Sequence, residues 1–331
     1  MQEPFWTRRS IVFLAAFAAC FLWGSASPCI KIGYSLFQIG ADDTPSRILF
    51  AGLRFFLAGW MVVLYESIRN HSFSLPKKGN WPMVLKLMCF QTIGQYIFFY
   101  MGLAHTSGVR GSIINASGTF FTIFLSAFVF RFEKLTVRKV VGSLIGFAGV
   151  MCVIADQSAF TGGLRLDGEG AMVIAAISSS IAGNLIKRYG QKEDPAILSG
   201  WQFLLGGAVM ILIGLISGGH LHPVSFSAWI LLAYMAFISA GAYTLWSILL
   251  RYNDVSRISI LGFMNPVLGV LLSAVFLKEG EEAFTLSTML AIILVTLGIS
   301  SLIRRSTPGR TPEGSLFKMV CYNSLRRKRV I

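Results

Sequence analysis

The sequence predicts an all-α membrane protein of ten transmembrane helices, arranged as two five-helix inverted repeats with both termini cytoplasmic. Three observations carry that expectation. Of the 331 residues, 54% are hydrophobic and only 13% charged, with a mean hydropathy of +0.67. A soluble chain of this length would need far more charge on its surface. Ten apolar runs are then long enough to cross the ~30 Å of hydrocarbon in a bilayer. Finally, one stretch occurs twice. RGSIINASGTFFTIFLSAFVFRFEKLT begins at Arg110 and RISILGFMNPVLGVLLSAVFLKEGEEAFT at Arg257.

Taken in order, the expected spans cover residues 11–32, 48–68, 83–103, 109–130, 137–154, 171–186, 197–216, 229–250, 258–277 and 286–303. The first follows Arg8 and Arg9 and faintly resembles a twin-arginine or lipoprotein export signal. Its apolar run continues past Cys20 and many similar runs follow, so a helix is expected instead. The sixth is the most polar, interrupted by Ser178, Ser179, Ser180 and Asn184. A span of that composition is expected to line a cavity, and the topology closes only with it. Residues 155–170 read as an external linker, and residues 304–331 as a basic cytoplasmic tail near the anionic inner leaflet.

Orientation follows from the basic residues. With a cytoplasmic N-terminus, the six cytoplasmic segments hold 23 of the 29 Lys and Arg residues. The external connections hold four, Arg47, Arg110, Arg165 and Lys278, while Lys31 and Arg54 belong to spans. That bias is the positive-inside pattern, so the net charge of +14 marks orientation rather than nucleic-acid binding. Five cysteines, four of them inside apolar runs, make no disulfide framework. His220 and His222 have too few companions for a metal site.

The duplication extends beyond the fourth and ninth spans. Shifted by 147, Ser112, Asn115, Thr119, Thr122 and Ser126 lie over Ser259, Gly262, Pro266, Gly269 and Ser273. The spacing places each set on one helix face, a small seam suited to packing or to lining a cavity. Ile30-Lys31 matches Ile186-Lys187, Arg54 to Gly59 matches Gln202 to Gly207, and Gly94 and Tyr96 match Gly241 and Tyr243. Gly149 matches Gly298. Each half, residues 11–154 and 171–303, therefore holds five spans. An odd number inverts the second half, and inverted repeats surrounding a midplane site are a transporter signature.

Trp23-Gly24-Ser25, Arg54-Phe-Phe-Leu-Ala, and the seamed fourth helix followed by Glu133 resemble one EamA unit. Asn265-Pro266 with Glu279 resembles its second copy, so residues 11–303 resemble the EamA branch of the drug/metabolite transporter superfamily. The first half has Gly118-Thr119-Phe120 where a proline is common, so a kink is expected in the ninth span and not required in the fourth. The resemblance implies a 5+5 basket whose first four helices in each half surround a cavity, the fifth being peripheral. It also implies export or exchange of small metabolites, often amino acids.

Polar groups in a span cost free energy unless satisfied, so they should face the interior. The expected substrate-binding set is Trp23, Arg54, Gln91, Gln95, Tyr96, Asn115, Thr119, Asn184, Gln202, Tyr243 and Trp246. Gln91 and Gln95 share a face of the third span, as Ser239, Tyr243 and Trp246 share one in the eighth. Each also has a bridging or interfacial reading, as does Trp201. No span has a central carboxylate, Glu66 and Glu279 lying at span ends, so exchange or gradient-driven efflux is as well supported as proton antiport. Nucleotide-binding, metalloprotease and serine-nucleophile motifs are absent from the sequence, so neither an enzyme nor a cofactor is expected. The expectation is a secondary transporter of the inner cell membrane, handling small polar or amphipathic metabolites with lipids as its surroundings. It would be a monomer or weak dimer, Gly142 and Gly146 of the fifth span reading as a dimer face or, better, as internal packing. A non-transporting scaffold or sensor on the same bundle is the rival reading.

Overall fold

The computed structural model describes residues 5–132, 166–190, 192–252, 261–262 and 264–277, with scattered positions between 137 and 148 and between 286 and 297. Six helices among them are long and apolar enough to cross a membrane: Arg9–Leu36, Thr44–Arg69, Lys78–Ala104, Leu166–Tyr189, Pro195–Ile216 and Phe226–Trp246. These are spans 1, 2, 3, 6, 7 and 8 of the sequence reading. Shorter apolar helices, Ile113–Phe128 and Val267–Phe276, lie in spans 4 and 9. Spans 5 and 10 fall largely outside the described residues, as do Glu133, Glu279, most of the linker and all of the tail. Among the described residues there is no strand.

Matching signals start the second span of each half. Asp43 caps Thr44–Arg69 by accepting from Ser46 N at 3.0 Å, and Asp194 caps Pro195–Ile216 by accepting from Ala196 N at 2.9 Å. Pro45 and Pro195 sit in the first turns, where a missing N–H costs nothing. The helix then places Arg47 inside span 2, wholly buried, rather than in the external loop to which the sequence reading assigned it.

Spans 2 and 7 cross with their backbones in contact because glycine stands at the crossing. A methyl on Gly59 would land on Leu204 N, and one on Gly207 would land on Phe56 N. Gly52 lies against Ile211 and Gly214 against Leu49, so numbers rise along one helix as they fall along the other. The pair is antiparallel, and Gly59 and Gly207 are equivalent positions of the repeat. Close approach at small residues is how apolar helices gain packing energy where no water drives them together.

The remaining neighbours follow the same correspondence. Span 1 packs on spans 8 and 9, as span 6 packs on spans 3 and 4. Span 2 meets span 8 as span 7 meets span 3, and spans 4 and 9 meet each other. Exchanging 1 with 6, 2 with 7, 3 with 8 and 4 with 9 leaves this pattern unchanged.

Two spans are irregular at mid-length. Span 3 runs as an α-helix over Trp81–Leu87, a π-helix over Met88–Gly94 and an α-helix over Gln95–Ala104. The wider turn loosens the backbone bonding, and the Phe90 carbonyl accepts from Ser178 Oγ at 2.7 Å. Span 4 breaks at Ser117 between Gly108–Ala116 and Gly118–Phe128, although no proline is present. The Gly118 carbonyl accepts from Thr122 Oγ1 at 2.8 Å and Ser180 Oγ at 2.7 Å. Such side-chain donors make broken backbone tolerable away from water. In span 9, Leu261 is helical, Gly262 is a turn, and Pro266 stands in the first turn of Met264–Phe276.

Candidate functional site

Four aromatic rings occupy the centre of the described bundle, two from each half. Phe55 and Phe203, equivalent in the repeat, stack with centroids 5.4 Å apart. Phe55 packs on Tyr96 at 4.1 Å and Phe203 on Tyr243 at 5.0 Å. The Tyr96 and Tyr243 hydroxyls lie 3.3 Å apart and close the ring. Trp23 of span 1 meets Tyr243 at 5.3 Å and Trp246 at 5.2 Å, both edge-on. Trp23, Tyr243 and Trp246 are each only partly buried.

Arg54 extends from span 2 beside this cluster. It is 2% exposed, its Nη1 donates to Tyr100 Oη at 2.9 Å and its Nε to the Met235 carbonyl at 3.1 Å. Its Cζ lies 5.1 Å from the Phe55 centroid. Among the described residues no carboxylate lies within 4.0 Å of it. A buried guanidinium held only by neutral acceptors keeps its full charge available to an anion.

The equivalent residue, Gln202, is wholly buried. Thr92 Oγ1 donates to Gln202 Oε1 in a short bond and lies 3.3 Å from the Gln202 carbonyl. Gln202 Nε2 donates to Gln91 Oε1 at 3.3 Å. Gln91 and Gln202 therefore join spans 3 and 7. Gln95, one turn further on, is 7% exposed and its buried Oε1 has no hydrogen-bond partner among the described residues. A buried amide oxygen without a donor is an open position for a ligand N–H.

Asn184 stands elsewhere. Its Nδ2 donates to the Thr122 carbonyl at 3.2 Å and the Ser180 carbonyl at 2.9 Å, tying span 6 to span 4. Ser178 and Ser180 do the same toward spans 3 and 4. Ser178, Ser180 and Asn184 thus tie span 6 to its neighbours. Asn115 is partly buried before the break in span 4. Thr119 lies on the helix after that break, and its side chain is outside the described residues. Trp201 donates to the Ser74 carbonyl at 2.9 Å and packs on Trp81 at 5.3 Å, a join rather than a site residue. Tyr100, Phe55 and Phe203 lie in the central cluster outside the expected set. Tyr100 stands four residues beyond Tyr96, and Phe55 and Phe203 flank Arg54 and Gln202, so helical spacing and the repeat both pointed to them.

At one end of spans 2 and 7 the loops are tied together. Glu193 accepts from Lys77 N at 2.8 Å, Asn80 Nδ2 at 2.9 Å and Asp194 N at 3.2 Å. Burial alone would raise this carboxyl, but the three donors hold it below the ordinary glutamate value. Beside it Arg69 pairs with Glu66 at 2.8 Å and approaches Asp194 at 3.8 Å.

The EamA-like transporter family matches the chain twice, over residues 10–155 and 167–304. An uncharacterized transporter of Synechocystis is 25% identical over 285 residues, covering 80% of this chain and 82% of that one. A WAT1-related chloroplastic protein of Arabidopsis thaliana is 28% identical over 296 residues, covering 83% and 67%. A probable amino-acid metabolite efflux pump of Salmonella typhimurium is 26% identical over 264 residues, covering 75% and 83%. A solved crystal structure with a TM-score of 0.67 and 19% identity spans 92% of this chain and all of that one, and so shares the fold. With two family matches, multi-pass helices and named transporters among its relatives, the chain belongs to the EamA-like transporter family.

Proposed function

We propose that this transporter moves amino-acid-like metabolites across the inner cell membrane by alternating access, as an exporter or exchanger. Its ten spans would form two inverted five-helix repeats, residues 11–154 and 171–303, with both termini cytoplasmic. The observation that carries the reading is Arg54. A charge removed from water, with no carboxylate within 4.0 Å among the described residues, near the junction of two related halves suits a substrate that brings its own negative group. Gln95 Oε1 is the complementary acceptor, able to receive an ammonium or amide N–H. The Trp23, Tyr243 and Trp246 rings offer apolar surface for the rest of the molecule. A relative named as an amino-acid metabolite efflux pump supports the same substrate class.

The binding set proposed is Trp23, Arg54, Gln95, Tyr96, Tyr243 and Trp246, with Gln91 and Gln202 fixing the helices behind it. Asn115 and Thr119 remain proposed site residues on span 4. Counterflow tests the reading: purified protein in liposomes preloaded with one unlabelled amino acid at a time should accumulate its labelled form. No accumulation with any amino acid that shifts thermal stability would favour a non-transporting scaffold. Orientation is tested separately, with cysteines engineered at Lys77 labelling from the cytoplasm and at His222 from outside.

A further inference from the structure

A second buried guanidinium stands on span 2, seven residues before Arg54 and on the same face. Arg47 is 0% exposed. Its Nε and Nη2 both point at the Gly40 carbonyl, at 3.4 and 3.0 Å, on an exposed part of the loop after span 1. Its Nη1 is buried and has no hydrogen-bond partner among the described residues. Asp42, Asp43 and Asp167 act on it only from a distance, and none is paired with it within 4.0 Å among the described residues. An orphaned donor on a buried cation is costly and calls for a physical reason, an arriving ligand being one.

Two tyrosines connect the guanidiniums. Arg47 Cζ lies 5.9 Å from the Tyr34 ring centroid, and Tyr34 Oη donates to the Tyr100 carbonyl at 2.9 Å. Tyr100 Oη accepts from Arg54 Nη1. The Arg47–Tyr34–Tyr100–Arg54 series runs along span 2, the two α-carbons being roughly 10 Å apart at 1.5 Å per residue. It has no counterpart in the other half, where the position matching Arg54 is Gln202 and the one matching Arg47 is Pro195.

We propose that Arg47 is a second anion station, at which the carboxylate of a substrate replaces the Gly40 carbonyl between Arg54 and the outer face. This rests on the reading that the carried molecule is a carboxylate. One guanidinium matches one carboxylate in charge and in its two-pronged geometry, which favours a monoanion over a phosphate at each station. The pair makes passage stepwise, from one cation to the next, instead of demanding that a single deep site release its ligand directly to water.

Trifluoroacetate is a suitable probe, because its fluorine resonance broadens on binding to the full-length protein in detergent. Trifluoroacetamide serves as the neutral control and protein-free micelles as the blank. Wild type should show saturable broadening that requires two sites, with none from the amide. Arg47→Gln and Arg54→Gln should each leave one site, and the double variant should match the blank. Arg47→Lys should keep both sites with one weakened about tenfold, as expected for the loss of one charge-assisted hydrogen bond. A two-site titration unchanged in Arg47→Gln overturns the proposal, as does wild-type broadening no greater than that from the amide. Should Arg47→Gln fail to fold by circular dichroism, an unweakened titration in Arg47→Lys overturns it equally. Counterflow reports separately: absence of amino-acid flux with both anion sites intact defeats the substrate reading and leaves the station standing.

Discussion

The hydroxyls of Tyr96 and Tyr243 meet at 3.3 Å, and the two residues are the same position of the repeat, 147 apart in the chain. A residue can touch its own equivalent only where the axis relating the halves passes. Phe55 stacking on Phe203, and the reciprocal contacts of Gly59 with Leu204 and Gly207 with Phe56 across spans 2 and 7, locate that axis by separate contacts. The aromatic cluster therefore lies at the centre of the described bundle. If the halves rock against one another, this pair is the contact both conformations must keep or exchange.

Because the pair shares one hydrogen bond, Tyr96→Phe and Tyr243→Phe should behave alike. Each should lower stability by about 0.5–1.5 kcal/mol, the net worth of such a bond. The double variant should cost scarcely more than either single one, since the bond is lost only once. Thermal unfolding of the purified proteins measures this. Additive losses would show that the hydroxyls have separate partners.

The crossing of spans 2 and 7 makes a prediction by contrast. Gly59→Ala or Gly207→Ala forces backbone apart from backbone and should destabilise by about 1–3 kcal/mol, as overpacking does. Gly183, toward the C-terminal end of span 6, has open space where a Cβ would go. Gly183→Ala should therefore stabilise by up to ~1 kcal/mol through helix propensity. Similar melting temperatures for all three variants would remove the crossing as a structural constraint.

The positions of spans 1, 2, 3, 6, 7 and 8 and the correspondence of residues between the halves were legible because both depend on short-range pattern: apolar length, and small or polar residues recurring at a fixed shift. The correspondence of Arg54 with Gln202 and of Tyr96 with Tyr243 is read that way. What Asn184 and Ser180 do was not legible, since a polar residue on a helix reads the same whether it bonds a neighbouring carbonyl or a ligand. Only the break at Ser117 shows why span 6 must carry donors there, and that break has no proline to announce it. The π-helix at Met88–Gly94, which packs against Ser178 and Gly206, is equally silent. Arg47 was misplaced because charge at a span boundary was read as loop, when an aspartate cap and a proline start the helix before it.

Glu193 predicts a pH dependence at the loop clasp. Its carboxyl is held below the ordinary value of 4.5, so the charged form is the one stabilised by folding. Its contribution should be fully present above about pH 4.5 and disappear as pH falls through the lowered value. Glu193→Gln should melt earlier than wild type at pH 7, and the difference should shrink on acidification below that range. A difference that stays constant down to pH 3 would mean the clasp does not depend on the charge.

Arg54→Gln is the most informative substitution, because the other half shows where a glutamine would go. Gln202 takes a hydrogen bond from Thr92, and the residue equivalent to Thr92 is Ser239. Ser239 is 1% exposed and its Oγ has no hydrogen-bond partner among the described residues. Placing glutamine at position 54 should give Ser239 the acceptor that Gln202 gives Thr92. The variant should therefore insert and fold, with stability within ~1 kcal/mol of wild type, the size of one net hydrogen bond. Adding Ser239→Ala should remove that support from the variant while costing wild type little. Transport should respond oppositely. Loss of a buried cation facing a carboxylate costs about 2–5 kcal/mol, so flux of a zwitterionic or anionic substrate at fixed subsaturating concentration should fall ~30-fold or more. Arg54→Lys should retain part of it, as a point charge without the fork. Counterflow and thermal unfolding on the same preparations separate the two effects. Wild-type flux in a well-folded Arg54→Gln protein would take Arg54 out of the site and leave its charge a matter of helix packing alone.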